Sequence, residues 1–279
     1  MSISAAINPE LDKLYDNRSA VPEHPEIFSR WRAQSAATRA ALKCDLNLSY
    51  GAHEKQTIDL FPAKANRGLA VFIHGGYWRA LDKDDFSFIA EPLVAAGISV
   101  AMVNYRLCPQ VTVADITEDC RNAIAWLVAK AGKYGIGSDR MMLLGHSAGA
   151  HLVAMLYATD WQKYEVMPYA FRGGMALSGI YDLGPLIETS VNQDLKLDAA
   201  SAKLQSPIHL KSTLTVLLEI VVGAAETSEF VRQSNLLNRW WQRIATSTEA
   251  VPAMNHFTIV DHFADPSTAT FKRALRILE

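Results

Sequence analysis

The chain has 279 residues, 49% of them hydrophobic, enough to fill a sizeable core without disulfides or a metal as staples. Its formal net charge of −2, with no stretch that concentrates Lys and Arg, argues against nucleic acid or an anionic membrane surface as a partner. Cys44, Cys108 and Cys120 stand at neither zinc-ligand nor CxxC spacing, so they read as reduced thiols, and neither a metal nor a cofactor is expected.

The first twenty residues carry Glu10, Asp12, Lys13, Asp16 and Arg18 and hold no apolar run suited to a signal peptide, so a cytoplasmic location is expected. Residues 24–42 set Ile27, Trp31, Ser35 and Ala36 at steps of three or four, which predicts a helix completing an N-terminal arm over residues 1–44. "DLNLSY" then alternates apolar and polar, and "TIDLFPA" reads as its hairpin partner. From residue 69 the runs "LAVFI", "ISVAMVNY", "MMLLG", "GMALSG" and "LTVLLEIVV" are nearly continuously apolar, as parallel strands covered on both faces must be. Between them, residues 113–131 carry Ile116, Cys120, Ala123, Ile124, Leu127 and Val128 on one stripe, with Asp119, Arg121 and Lys130 off it. Leu214–Ala225 is too short for a membrane span and is interrupted by Glu219. The alternation predicts an α/β fold of one domain over residues 1–279, a mostly parallel, doubly wound sheet of about eight strands behind an antiparallel hairpin. Its site is expected at the carboxyl ends of the strands. Residues 183–211, polar and without a strong strand, are either a lid over that edge or a surface insertion.

Gly145-His146-Ser147-Ala148-Gly149 follows "MMLL" and leads into the helical "AHLVAMLYA", the strand, turn and helix that a GxSxG nucleophile elbow requires. A serine held in so tight a turn brings helix and strand together until a Cβ two residues to either side collides, hence the glycines. The alternative is a small-residue turn that only packs a helix on a strand. The nucleophile reading demands more of the chain: a late histidine, an acid before it, and early backbone donors for an oxyanion. His74-Gly75-Gly76-Tyr77-Trp78 follows "LAVFI", where such donors belong, and the amide of Ala148 is the expected second donor. His256 in "NHFTIVD" has the expected place in chain order, with His262 its nearest rival and His146 and His151 read as structural. For the acid, Glu226 is preferred, with Glu229 and Asp182 as the other candidates.

With "HGGYW", "GHSAGAHL", "GAAETSEFVRQS" and "NHFTIVD" in order, the sequence resembles the α/β-hydrolase kynurenine formamidases (arylformamidases) and their bacterial esterase relatives from about residue 45 onward. The N-terminal "LDKLYDNRSAVPEHPEIFSRW" also looks like bacterial members. The resemblance implies an α/β-hydrolase fold, Ser147 as nucleophile and His256 as general base and then acid. Glu226 stands where the formamidases carry an aspartate, and Asn255 where an aspartate often precedes the catalytic histidine. The expected oxyanion hole is Gly76, Tyr77 and Ala148, and Gly75, Tyr77, Trp78, Trp161 and Tyr181 are candidates to line the substrate side. The expected reaction is hydrolysis of an aryl formamide such as N-formylkynurenine through an acyl-serine. A carboxylesterase of short acyl esters and a ligand-binding protein that has lost the chemistry are the competing readings. A small-molecule substrate is the expected partner, and a homodimer is the assembly considered.

Overall fold

The computed structural model describes residues 6–246 and 248–279. Three helices come first: α1 (Pro9–Tyr15), α2 (Asn17–Ala20) and α3 (His24–Ala41). Then β1 (Asp45–Ser49) and β2 (Thr57–Phe61) form the antiparallel hairpin read from the alternating pattern. The apolar runs become β3 (Leu69–Ile73), β4 (Ser99–Val103), β5 (Met141–His146), β6 (Phe171–Leu177) and β7 (Leu218–Gly223), and β8 (Glu249–Val251) closes the sheet. Among the described residues the sheet has eight strands in the order β1-β2-β4-β3-β5-β6-β7-β8, parallel from β4 onward.

Burial explains the composition of these strands. All residues of β3, β4 and β5 are buried. Because side chains alternate across a strand, Leu69, Val71 and Ile73 join the core on one face of the sheet, while Ala70 and Phe72 join the core on the other. Helices cover both faces: α4 (Ala90–Ala95), α5 (Val113–Lys130) and α6 (Ala148–Tyr157) in the connections, then α7 (Asn192–Leu195), α8 (Ala199–Leu204), α9 (Ser228–Trp240), α10 (Thr258–Ala264) and α11 (Ala269–Ile277). Among the described residues no helix is long and apolar enough to cross a membrane.

Two details depart from the sequence reading. Asp119, expected off the apolar stripe of α5, is buried: the Arg106 guanidinium and the Gln56 amide both donate to it, so its charge is met rather than solvated. On α3 the buried stripe runs Ile27, Trp31, Ser35 and Thr38, leaving Ala36 outside.

The strand order reverses at β3, whose two neighbours are β4 and β5. Ile73 lies opposite Val103 on one side and Gly145 on the other, so these strands end level with one another. The loops after β3 and β5 therefore leave the same edge side by side, which is where open α/β sheets form their sites. Two further segments reach that edge. The arm is pinned to the sheet by Trp31, which is 1% exposed, packs against Phe86, Phe88 and Phe257, and donates from Nε1 to Asp261 at 2.7 Å. Residues 183–211, which hold α7 and α8, are tied to the arm: Asn8 N donates to the Glu188 carbonyl at 2.8 Å, and Ser190 N donates to Asp12 Oδ1 at 2.7 Å.

Truncating the aromatic anchor tests this account. Trp31→Ala is expected to cost about 3–5 kcal/mol, read as a lower urea midpoint at unchanged slope.

Candidate active site

Ser147 sits between β5 and α6 with φ 57° and ψ −120°, a backbone region that side chains rarely adopt and that proteins hold mainly at functional turns. Neighbouring backbone fixes it there: Ser147 N donates to the Leu177 carbonyl at 2.8 Å. The flanking glycines are a matter of space. A Cβ on Gly145 would lie 2.3 Å from the Gly149 carbonyl oxygen, and one on Gly149 would lie 2.0 Å from that of Ile73. The first turn of α6 thus rests directly on the ends of β3 and β5, as the motif required.

The turn delivers the serine to an imidazole from the far end of the chain. Ser147 Oγ lies 3.0 Å from His256 Nε2, and His256 Nδ1 lies 2.7 Å from Glu226 Oε2. In the tautomer this network implies, Nδ1–H donates to the carboxylate and Nε2 accepts from the hydroxyl. Glu226 is itself oriented, because Oε1 accepts from Gly223 N at 2.7 Å and from the Ser178 hydroxyl. The rival acids are engaged elsewhere. Glu229 accepts from Tyr15 Oη at 2.7 Å and pairs with Arg232, and Asp182 Oδ1 accepts from Gly184 N. His262 lies against Thr270, and His151 bonds Trp78 Nε1 and the Gln205 carbonyl.

His146 holds the histidine's own backbone. Burial, reinforced by repulsion from His256, keeps its imidazole well below the usual histidine pKa, so it is neutral and donates from Nε2 to the His256 carbonyl at 2.7 Å. Asn255 Oδ1 accepts from the amides of Phe257 and Thr258, so it shapes the turn into α10. The motif "TSEFVRQS" also acquires a physical reading. Phe230 packs on the His256 ring at 4.4 Å, and Gln233 accepts from the amides of Tyr181 and Asp182 while donating to Tyr15 Oη.

The loop after β3 is set by His74, which stacks on Tyr105 at 4.2 Å and lies 2.7 Å from the Gly75 carbonyl. Gly76, Tyr77 and Trp78 all have positive φ, at 114°, 51° and 56°. The amides of Gly76 and Tyr77 donate to no backbone acceptor among the described residues, and that of Ala148, first in α6, has no partner within its helix.

The BD-FAE family model matches residues 59–167. Over most of its length the chain is similar to kynurenine formamidase of Danio rerio, with 30% identity covering 90% of this chain and 87% of that one. It is likewise similar to kynurenine formamidase of Salmo salar, with 32% identity covering 79% and 77%. The chain belongs to the kynurenine formamidase family of α/β-hydrolases. It is a hydrolase. A crystal structure from Silicibacter sp., described as a thioesterase, superposes with a TM-score of 0.84 at 33% identity over 97% of this chain and 99% of that one. Esterase B of Lactobacillus rhamnosis, with a TM-score of 0.71 at 19% identity over 94% of each chain, shares the fold.

In this kynurenine formamidase relative a cavity of about 330 Å³ opens onto Ser147, His256, Gly76 and Tyr77. The other aromatic candidates are absent from its wall. Trp78 and Tyr181 are fully buried and Trp161 packs on Phe171, because these rings all serve the core on one face of the sheet. Gly75 provides closeness instead of lining: a Cβ there would stand 3.0 Å from that of Ser147. What the sequence reading missed is the arm, which brings Asp12, Tyr15, Asn17, Arg18 and Phe28 to the cavity, together with Ser190 and Asp194. Its available signal was the polar run Asp16-Asn17-Arg18 ahead of the helix read over residues 24–42.

Gly149→Ala is expected to destabilise the fold by about 3 kcal/mol or more, since backbone cannot yield as a side chain can. The fall is read by thermal unfolding. It should exceed that of Gly132→Ala, where a Cβ meets nothing within 4 Å.

Proposed function

We propose that Ser147, His256 and Glu226 form a catalytic triad that hydrolyses the C–N bond of an aryl formamide, N-formylkynurenine being the representative substrate. The observation that carries this reading is the unbroken hydrogen-bond chain from Ser147 Oγ through His256 to Glu226. Similarity to the kynurenine formamidases of Danio rerio and Salmo salar supports a formamide as substrate.

In the proposed mechanism His256 Nε2 takes the Ser147 proton as Oγ attacks the formyl carbon. The carbonyl electrons move onto oxygen, and the free amides of Gly76, Tyr77 and Ala148 receive the resulting oxyanion. Glu226 stabilises the imidazolium and holds its ring in the required tautomer. The imidazolium then protonates the leaving nitrogen, the C–N bond breaks, and the arylamine departs from a formyl-serine. Water, deprotonated by the same imidazole, attacks the formyl carbon, and formate leaves as Oγ recovers its proton. A formyl group is the smallest acyl group, so the cavity is taken up by the arylamine half of the substrate. The enzyme is read as a cytoplasmic one acting on a small molecule.

A serine-directed phosphonate is expected to label Ser147 in the wild type, detected by peptide mass, and not in Ser147→Ala. Absence of wild-type labelling would leave a binding protein on this scaffold. Glu226→Gln is expected to lower kcat by about 10³–10⁴ through the wrong imidazole tautomer, while Asp182→Asn stays near wild type. kcat/KM on N-formylkynurenine is expected to exceed that on p-nitrophenyl acetate. The reverse order identifies a carboxylesterase using the same triad.

A further inference from the structure

The wall that the arm contributes contains a polar group with nothing to bond. Asn17 is 4% exposed, lines the cavity that holds Ser147, and its side-chain Nδ2 has no hydrogen-bond partner among the described residues. Buried polar groups are nearly always paired, and one left unpaired is costly. At the wall of a substrate cavity, that cost disappears when a bound molecule supplies the acceptor.

The charges around Asn17 give the chemistry of that molecule. Arg79 and Asp194 neutralise one another at 2.6 Å. The Arg18 guanidinium has no ion pair or hydrogen bond among the described residues and is held 6.0 Å over the Phe28 ring at the cavity wall. Asp12 and Asp16 face the same cavity without a salt bridge among the described residues, the Arg18 charge acting on Asp16 from longer range. Asp12 Oδ1 takes two hydrogen bonds from Ser190, while Asp16 takes its bonds from Ser19. Burial works against the Asp16 carboxylate, yet the bonds from Ser19, helped by the Arg18 amide and the Arg18 charge, outweigh it and hold the group below its ordinary pKa, so it is ionised at neutral pH. Among the described residues, a cation outside any salt bridge, two carboxylates and an unpaired amide therefore line the cavity that also holds the nucleophile. That pattern complements a zwitterion with a neutral polar group beside it.

We propose that residues 12–18 of the arm form a specificity subsite for the α-amino acid side arm of the substrate. Arg18 binds its carboxylate, Asp12 and Asp16 face its ammonium group, and Asn17 Nδ2 donates to the ketone oxygen that joins the arm to the ring. The proposal rests on the aryl formamidase reading and specifies which aryl formamides the enzyme selects. Asn17 and Arg18 act on binding and orientation and take no part in bond cleavage.

The test compares kcat/KM of the wild type, Arg18→Ala, Arg18→Lys and Asn17→Ala on N-formylkynurenine, o-formamidoacetophenone and formanilide. The second substrate keeps the ring and ketone without the amino acid, and formanilide lacks both. Arg18→Ala is expected to lower the preference for N-formylkynurenine over o-formamidoacetophenone about ten- to hundredfold, chiefly through KM, with partial recovery in Arg18→Lys. Asn17→Ala is expected to lower the preference for o-formamidoacetophenone over formanilide. An unchanged preference in Arg18→Ala overturns the subsite while leaving the formamidase intact. So does an equal loss on all three substrates. A wild type that cleaves p-nitrophenyl acetate and none of the formamides overturns the formamidase reading, and the subsite with it.

Discussion

The structure depends on the absence of a side chain at Gly149. Because nothing stands between the first turn of α6 and the Ile73 carbonyl, helix and strand meet at backbone distance. That contact, with Gly145 clearing the opposite side, is what makes room for Ser147 to adopt its strained φ. The same approach brings the loop after β3 beside the elbow. Two segments separated by some seventy residues in sequence thereby share one corner of the sheet, each with amides that donate to no backbone acceptor among the described residues.

Strain at the serine is matched by restraint on its partner. His256 is held through its ring by Glu226, through its carbonyl by His146, and on its face by Phe230. Each restraint comes from a different element: the loop after β7, the elbow itself and α9. An imidazole fixed from three directions loses little freedom when it meets the hydroxyl, which is the preorganisation that acyl transfer profits from. His146 does this while neutral, so it sets no cation beside His256.

Much of this was legible in the sequence because it has a local signature. Continuous apolar runs mark strands buried on both faces, and glycines two places from a serine mark a turn without room for a Cβ. Chain order alone singled out His256. The acid was narrower than order could decide. Glu226, Glu229 and Asp182 all follow strands, and of the three it is Glu226 that meets His256 Nδ1, its carboxylate also accepting from the Gly223 amide. The cavity wall was not legible. Tyr15 meets Glu229 across 214 residues, and Asn8 meets Glu188, contacts that leave no periodic trace. Nor does residue type tell direction: Trp78 and Tyr181 have the bulk of substrate-lining rings and point into the core.

Tyr15 joins three parts that would otherwise be independent. Its hydroxyl bonds Glu229 and Gln233 on α9, and its carbonyl accepts from Tyr77 Oη at 2.6 Å. The groups proposed for bond-breaking all sit on the sheet's rim, whereas the groups proposed for recognition sit on a short peptide clipped across it. Such an arrangement separates what the protein does from what it does it to. A lineage can exchange a few residues of the clip and acquire a new clientele, while the inherited reaction machinery passes on untouched.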